Sequence, residues 1–206
     1  MKKIATLVCF VLYALTAFSQ KEKPFGLKDG LREGTAKNFY GDGKIESVIN
    51  WKKDKQEGTS TFYFQNGKVK AVGNFTKGAK NGVWKYYYET GELEAEEYFV
   101  YRDFMQIKEG VFKKFYADGK PKESYSYVDD KLEGPYVRYY ASGAIDEKGQ
   151  YLHDQPDGNF IAYHPNGNVR ASSTYVNGKR EGERILRDEN GKITSTELYK
   201  NGVKIK

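Results

Sequence analysis

Short runs of alternating apolar and polar residues recur along this chain, separated by glycine-containing turns at a nearly fixed interval. In Lys68-Val69-Lys70-Ala71-Val72-Gly73-Asn74-Phe75, the residues Val69, Ala71 and Phe75 alternate with others. A period of two marks a strand with one buried and one wet face, so these three are expected to share the buried face. Ile193 and Tyr199 hold the same offsets in the run Gly191 to Tyr199. Each such run follows a shorter one that ends in paired rings: Phe39-Tyr40, Tyr63-Phe64, Tyr87-Tyr88, Phe115-Tyr116, Tyr139-Tyr140 and Tyr163-His164. Between the two runs lie Asp42-Gly43, Asn66-Gly67, Asp118-Gly119, Asn166-Gly167 and Asn190-Gly191. Such dipeptides tolerate positive φ and are strong hairpin signals.

The hairpin is the unit of an internal repeat. It opens at Gly34, Gly58, Gly82, Gly110, Gly134, Gly158 and Gly182, in steps of 24, 24, 28, 24, 24 and 24 residues. A second glycine follows nine residues later: Gly43, Gly67, Gly91, Gly119, Gly143, Gly167 and Gly191. A ring follows at seventeen: Trp51, Phe75, Phe99, Tyr127, Tyr151, Tyr175 and Tyr199. A period of this length means a repeat architecture. Strand, tight turn, strand and short loop leave no room for crossover helices. The fold predicted for residues 27–206 is therefore all-β, an elongated antiparallel meander of about fourteen strands in a single twisted sheet of about seven 24-residue β-hairpin repeats. Ladders of equivalent aromatics on one face are expected to hold it, each cross-strand pair contributing roughly 0.2–1 kcal/mol.

Two stretches carry a family resemblance. Gly82-Val83-Trp84-Lys85-Tyr86-Tyr87-Tyr88-Glu89-Thr90-Gly91 and Gly134-Pro135-Tyr136-Val137-Arg138-Tyr139-Tyr140-Ala141-Ser142-Gly143 resemble the MORN repeat in its bacterial variant form. Proteins of this kind are often labelled YwqK-family antitoxins. The resemblance implies repeats that serve as scaffolds, membrane-associated modules or appended domains, and it brings no catalytic motif.

The two ends of the chain read differently from the array. Met1-Lys2-Lys3 is basic, Ile4 to Phe18 is apolar, and Ala17-Phe18-Ser19 offers small residues at a cleavage site before Gln20. Residues 1–19 read as a secretory signal peptide, with a retained anchor as the alternative. Residues 20–26 form a linker, and Leu27 to Gly34 resemble the tail of a degenerate unit. At the far end Arg187-Asp188 replaces the aromatic pair, as expected of a polar cap. Removing the leader removes Cys9, the one cysteine, and lowers the net charge from +6 to +4 as Lys2 and Lys3 go. The destination is the periplasm, the outer envelope or the medium, and no disulfide holds the exported chain.

No residue cluster points to catalysis, to a cofactor or to a metal. His153 and His164 are the two histidines and have no partner at ligand spacing; His164 occupies a ladder position. Carboxylates recur before the unit glycines at Glu33, Glu57, Glu109, Glu133, Asp157 and Glu181. Their recurrence argues for a role in the turn, with Lys55, Lys131 or Lys179 as partners. Lys68, Lys70, Lys120 and Lys122 are offset by Glu92, Glu94 and Asp146, a mixed solvated face rather than the basic stripe that nucleic acid requires.

The phase break leaves ten residues, Val100 to Glu109, where other internal units have six. The added length carries Tyr101, Phe104, Met105 and Ile107. Two readings stand: a longer strand pair whose apolar side chains fold back onto the aromatic face, or a partner-binding feature. The function expected is an exported, non-enzymatic scaffold that binds another protein through these four residues and through Trp84, Tyr86, Tyr136 and Tyr163 on the aromatic side. The alternatives are an antitoxin-like or immunity-like protein that binds a specific toxin, and an envelope module with weak contact to glycan or a membrane surface.

Overall fold

The computed structural model describes residues 25–206. The expected leader and residues 20–24 of the linker lie outside them; Phe25 and Gly26 lie within, and Gly26 already begins a strand. The described chain forms eighteen strands: β1 (Gly26–Lys28), β2 (Leu31–Phe39), β3 (Ile45–Lys52), β4 (Lys55–Gln56), β5 (Gly58–Tyr63), β6 (Val69–Thr76), β7 (Ala79–Tyr87), β8 (Leu93–Arg102), β9 (Met105–Lys108), β10 (Gly110–Phe115), β11 (Pro121–Val128), β12 (Lys131–Tyr139), β13 (Ile145–Leu152), β14 (Gln155–Tyr163), β15 (Val169–Val176), β16 (Lys179–Arg187), β17 (Ile193–Lys200) and β18 (Val203–Lys204). Every paired register is antiparallel and joins neighbours in the meander, from β1 with β2 to β17 with β18. The sheet is single and open. Fourteen strands form the seven hairpins. The four extra ones are β1 and β18 at the ends, and β4 and β9, which are segments interrupted just before a unit glycine.

The hairpin turns and the turns between units differ in backbone conformation. In the Asn-Gly and Asp-Gly turns only the glycine is left-handed: Gly43 has φ +83° and Gly67 +86°. Gly43 N–H donates to Tyr40 O at 2.9 Å and Tyr40 N–H to Lys44 O at 2.8 Å, a pattern repeated in all seven hairpins. This is a three-residue loop closed by a left-handed glycine, and Asp42 or Asn66 accepts the N–H two residues on, as in an Asx turn. The turns with two left-handed central residues lie between units, at Lys53-Asp54 (φ 49° and 64°), Asp129-Asp130 and His153-Asp154. With one exception, the residue before each unit glycine holds the next such turn. Glu57 Oε2 accepts Lys77 N–H at 2.8 Å, and Glu33, Glu109, Glu133, Asp157 and Glu181 do the same one turn on; Asn81 Oδ1 accepts Tyr101 N–H instead, within β8 and two residues short of the turn at Asp103-Phe104. The recurring carboxylates thus serve the turn, but through backbone N–H groups rather than through Lys55, Lys131 or Lys179.

Bulges decide which side chains share a face. Phe62 stands opposite Ala71 but Tyr63 opposite Val69, so Lys70 is an extra residue and Val69 faces away from Ala71 and Phe75. The same shift places Ile193 opposite Arg187, away from Tyr199. The expectation that these residues share a face is corrected: alternation persists, but one inserted residue reverses its sense. The paired rings also divide between faces. The second ring of each pair turns to the neighbouring unit, where Tyr88 Oη donates to Phe115 O at 2.7 Å, Tyr116 Oη to Tyr139 O at 2.6 Å and Tyr140 Oη to Tyr163 O at 2.7 Å. His164 Nε2 lies 2.9 Å from Arg187 O in the equivalent place, a contact that needs the proton on Nε2.

The core is a row of rings on one face. Trp84 is 2 % exposed, lies edge-on to Phe75 with centroids 4.9 Å apart, and donates its indole N–H to Asn74 O at 3.0 Å. Phe99 and Phe112 continue the row, then Tyr136, Tyr151, Phe160 and Tyr175. Space for the largest rings comes from glycine in the neighbouring strand: a Cβ on Gly73 would lie 2.3 Å from the Trp84 ring, and one on Gly149 would lie 2.6 Å from Phe160. At the C-terminal end Glu197 accepts from Arg184, Tyr199 and Lys204 at 2.9–3.0 Å. Those donors hold its carboxyl down at about 2.

Two outcomes follow. Gly73→Ala should destabilise the fold by roughly 2–4 kcal/mol, because an overpacked ring with no route out distorts the strand; a loss under about 0.5 kcal/mol in urea unfolding would contradict the packing. Glu197 is a group whose folded pKa is depressed, so its contribution is complete above the ordinary glutamate range and is lost as pH falls towards about 2. Amide protection at Tyr199–Lys204, the exchange rate relative to the intrinsic rate at the same pH, should therefore be steady above about pH 5 and fall below about pH 4, and Glu197→Gln should flatten that dependence.

Candidate interaction site

The four residues added at the phase break lengthen a hairpin. Phe99 pairs with Lys108 and Val100 with Ile107, as in other units; Tyr101 with Gln106 and Arg102 with Met105 are two further rungs. The turn Asp103-Phe104 thus projects beyond its neighbours by two residues, about 7 Å of strand. The longer-strand reading holds, but the apolar residues do not fold back together. Phe104 is 82 % exposed and Met105 60 %. Tyr101 is half-buried on the side of the aromatic face, whereas Ile107 pairs with Val100 on the other side.

Phe104 also has an unusual backbone. Its φ is +64°, in the left-handed region that bulky side chains avoid. At the same place in the other inter-unit turns stand Asp54, Gly78, Asp130, Asp154, Gly178 and Gly202. Each of those donates its N–H to the carbonyl of the preceding unit, as Gly78 does to Gln56 at 2.9 Å. Phe104 sits two rungs further out and makes no such bond; Lys77 Nζ lies 5.8 Å from its ring and from that of Tyr101.

The other expected contact residues do not form one surface. Trp84 and Tyr136 are buried in ring clusters, and burial pushes the Tyr136 hydroxyl up to about 12 against the pull of Arg138. Neighbours in nearby strands hide them, Phe62 and Phe75 around Trp84 and Tyr151 and Phe160 around Tyr136: a sheet one layer thick still covers its rings with flanking rings and lysine stems. Tyr163 stands opposite Val169 on the reverse face. Tyr86 is half-buried at the edge of an open groove of about 450 Å³ that includes Tyr88, Glu97, Lys114 and Lys122. Lys80 Nζ is bonded to the Tyr86 hydroxyl and lies 4.6 Å over Trp84 and 5.1 Å over Phe99. Burial draws its pKa down, with Glu97 opposing. Burial and then Glu97 push Tyr86 up. The sequence did not signal Lys80, because its cage is assembled from two strands, Trp84 and Tyr86 on β7 and Phe99 on β8. Among the described residues no group of three or more His, Cys, Asp or Glu side chains is placed to hold a metal ion, and no helix is long and apolar enough to cross a membrane.

An open sheet of hairpin repeats with grooves and a projecting tip belongs to the class of β-repeat scaffolds. The MORN repeat variant matches residues 32–53, 56–77, 80–101, 108–129, 132–153, 156–177 and 180–201, and the chain belongs to that family. Its repeats commonly serve contacts with proteins or membrane surfaces and are generally non-enzymatic. Successive matches are separated by two residues, except that 102–107 lie between the third and fourth; the projecting tip is outside the family pattern. No curated protein matches the chain in sequence. Among solved structures, the crystal structure of TcdB2-TccC3-TEV aligns with 81% of this chain at 8% identity and a TM-score of 0.25. This chain spans 12% of that one, and a likeness of that degree supports no conclusion.

Replacing Phe104 by glycine, the residue found in three equivalent turns, should relieve the left-handed strain. We expect a gain of about 1 kcal/mol and a rise in Tm of roughly 2–4 °C. A thermal melt that shows equal or lower stability would mean that the ring is held by packing rather than tolerated at a cost.

Proposed function

We propose that this protein is an exported, non-enzymatic scaffold that binds another protein, with the Phe104-Met105 tip as its primary contact. The observation that carries this reading is an aromatic side chain kept exposed on a left-handed backbone, at a position where neighbouring turns use Asp or Gly. Strain of that kind persists where function requires it, and exposed Phe and Met on a rigid scaffold suit insertion into a partner's pocket. Export is supported by the basic, apolar and small-residue order of residues 1–19.

The test places a photo-crosslinking phenylalanine analogue at position 104, and in a second strain at Ser142, a hairpin turn elsewhere on the sheet. After irradiation of intact cells, one protein in the envelope fraction should be joined to position 104 and not to position 142, and its yield should fall when Met105→Ser is added. The same products from both positions, or products confined to the cytosol, would overturn the proposal.

A further inference from the structure

The reverse face of the sheet carries an apolar ribbon from one end to the other. Within each unit the first ring of the aromatic pair stands opposite the first apolar residue of the second strand: Phe39 with Ile45, Tyr63 with Val69, Tyr87 with Leu93, Phe115 with Pro121, Tyr139 with Ile145 and Tyr163 with Val169. Ile193 ends the row opposite Arg187. Phe39, Ile45, Ile145 and Ile193 are exposed, and both Tyr63 and Tyr87 remain half-exposed. The row continues between units. An open groove of about 690 Å³ spans Tyr63 and Tyr87 and is floored by Thr61, Val69 and Val72. The rings of the core row face the other way, so among the described residues nothing covers this ribbon.

Three features define what fits it. The first is spacing: rings recur every second strand, about 9.5 Å apart, and a polyproline II helix turns once in three residues of about 3.1 Å, or roughly 9.3 Å. One face of such a helix therefore meets one ring per turn, and the slots between rings accept prolines. The tyrosine hydroxyls can donate to the carbonyls that this helix leaves unpaired. The second is charge. Beside the ribbon run the exposed Lys85, Lys113 and Lys148, with one carboxylate, Glu96, shared by the first two at 3.8 and 4.0 Å. Lys148 Nζ lies 5.5 Å from the Tyr163 ring. The third is size. The ribbon is roughly 60 Å long and about 10 Å wide, near one partner's share of a standard interface. Sheet twist of about 20–25° per strand also coils it, which suits a chain without internal hydrogen bonds better than a flat polysaccharide.

We propose that this ribbon binds an extended, proline-rich polypeptide segment bearing carboxylates, laid across the strands. The proposal rests on the reading of the chain as a protein-binding scaffold, but uses a surface apart from the Phe104 tip, so the two can fail separately. The probe is a fluorescent peptide of about six Pro-Pro-Glu triplets, roughly 56 Å long as a polyproline II helix, titrated into the purified protein with anisotropy as the readout. Saturable micromolar binding is expected. A Gly-Ser-Glu peptide of equal length and charge should bind at least about tenfold more weakly. Lys85→Glu, Lys113→Glu and Lys148→Glu together should weaken binding at least about tenfold while preserving the fold, since all three side chains are exposed. Tyr87→Ala should do so as well, and Phe104→Gly should leave binding unchanged. Equal binding of the flexible peptide, insensitivity to the charge reversals, no binding, or binding of a β-1,4-linked N-acetylglucosamine hexasaccharide in place of the peptide would each overturn the proposal.

Discussion

The structure depends on one inserted residue per strand pair. A single-layer sheet has two faces, and a shift of one residue exchanges them. The bulge beside each hairpin turn and the left-handed unit glycines, such as Gly58 at φ +80° and Gly134 at +92°, fix that phase in every unit. The 24-residue period then brings the same offsets back to the same face. A β-carbon at those glycines would strain the backbone on which the phase rests. With the phase fixed, Trp84, Phe112, Tyr136 and Phe160 fall in one row, and Tyr63, Tyr87, Tyr139 and Tyr163 in another on the reverse face.

Two faces with different tasks follow from that phase. The core row consumes its rings internally, with glycine at Gly73 and Gly149 making room for a large ring in the next strand. Tyrosine hydroxyls and turn carboxylates tie each unit to the next through backbone groups, so cohesion is distributed along the array rather than concentrated in one centre. This leaves the reverse face and the turn edge free for contact. The phase break at residues 102–107 adds a tip where the family pattern has only a tight turn. The repeat thus sets both faces of the sheet, and the phase break adds to them a projecting tip.

The fold was legible in the sequence because its signals are local and sevenfold. Glycine spacing, alternation and turn dipeptides gave the hairpins, the meander and the family. What was not legible depended on one-residue geometry. Val69 and Ala71 look equivalent by alternation, and only the register shows that Lys70 is inserted between their faces. The Asn-Gly and Asp-Gly dipeptides tolerate positive φ and marked the hairpins, yet the turns with two left-handed residues lie between units, at sequences such as Lys53-Asp54 that signal weakly. Trp84 and Tyr136 resembled contact residues by type, but burial follows from neighbours in adjacent strands. Phe104 was picked out as an apolar residue in a loop; its left-handed backbone, the stronger sign, required coordinates.

The partition of side chains between the two faces is tested most directly by thiol labelling in a Cys9→Ser background, which has no other cysteine. Single cysteines at Tyr63, Val69, Phe104, Phe62 and Ala71 would be exposed to a maleimide under native conditions, and their rates compared with those in urea. The structure predicts fast labelling at Phe104, measurable labelling at Tyr63, Val69 and half-buried Phe62, and protection at Ala71. Equal protection at Val69 and Ala71 would place both on one face and contradict the account.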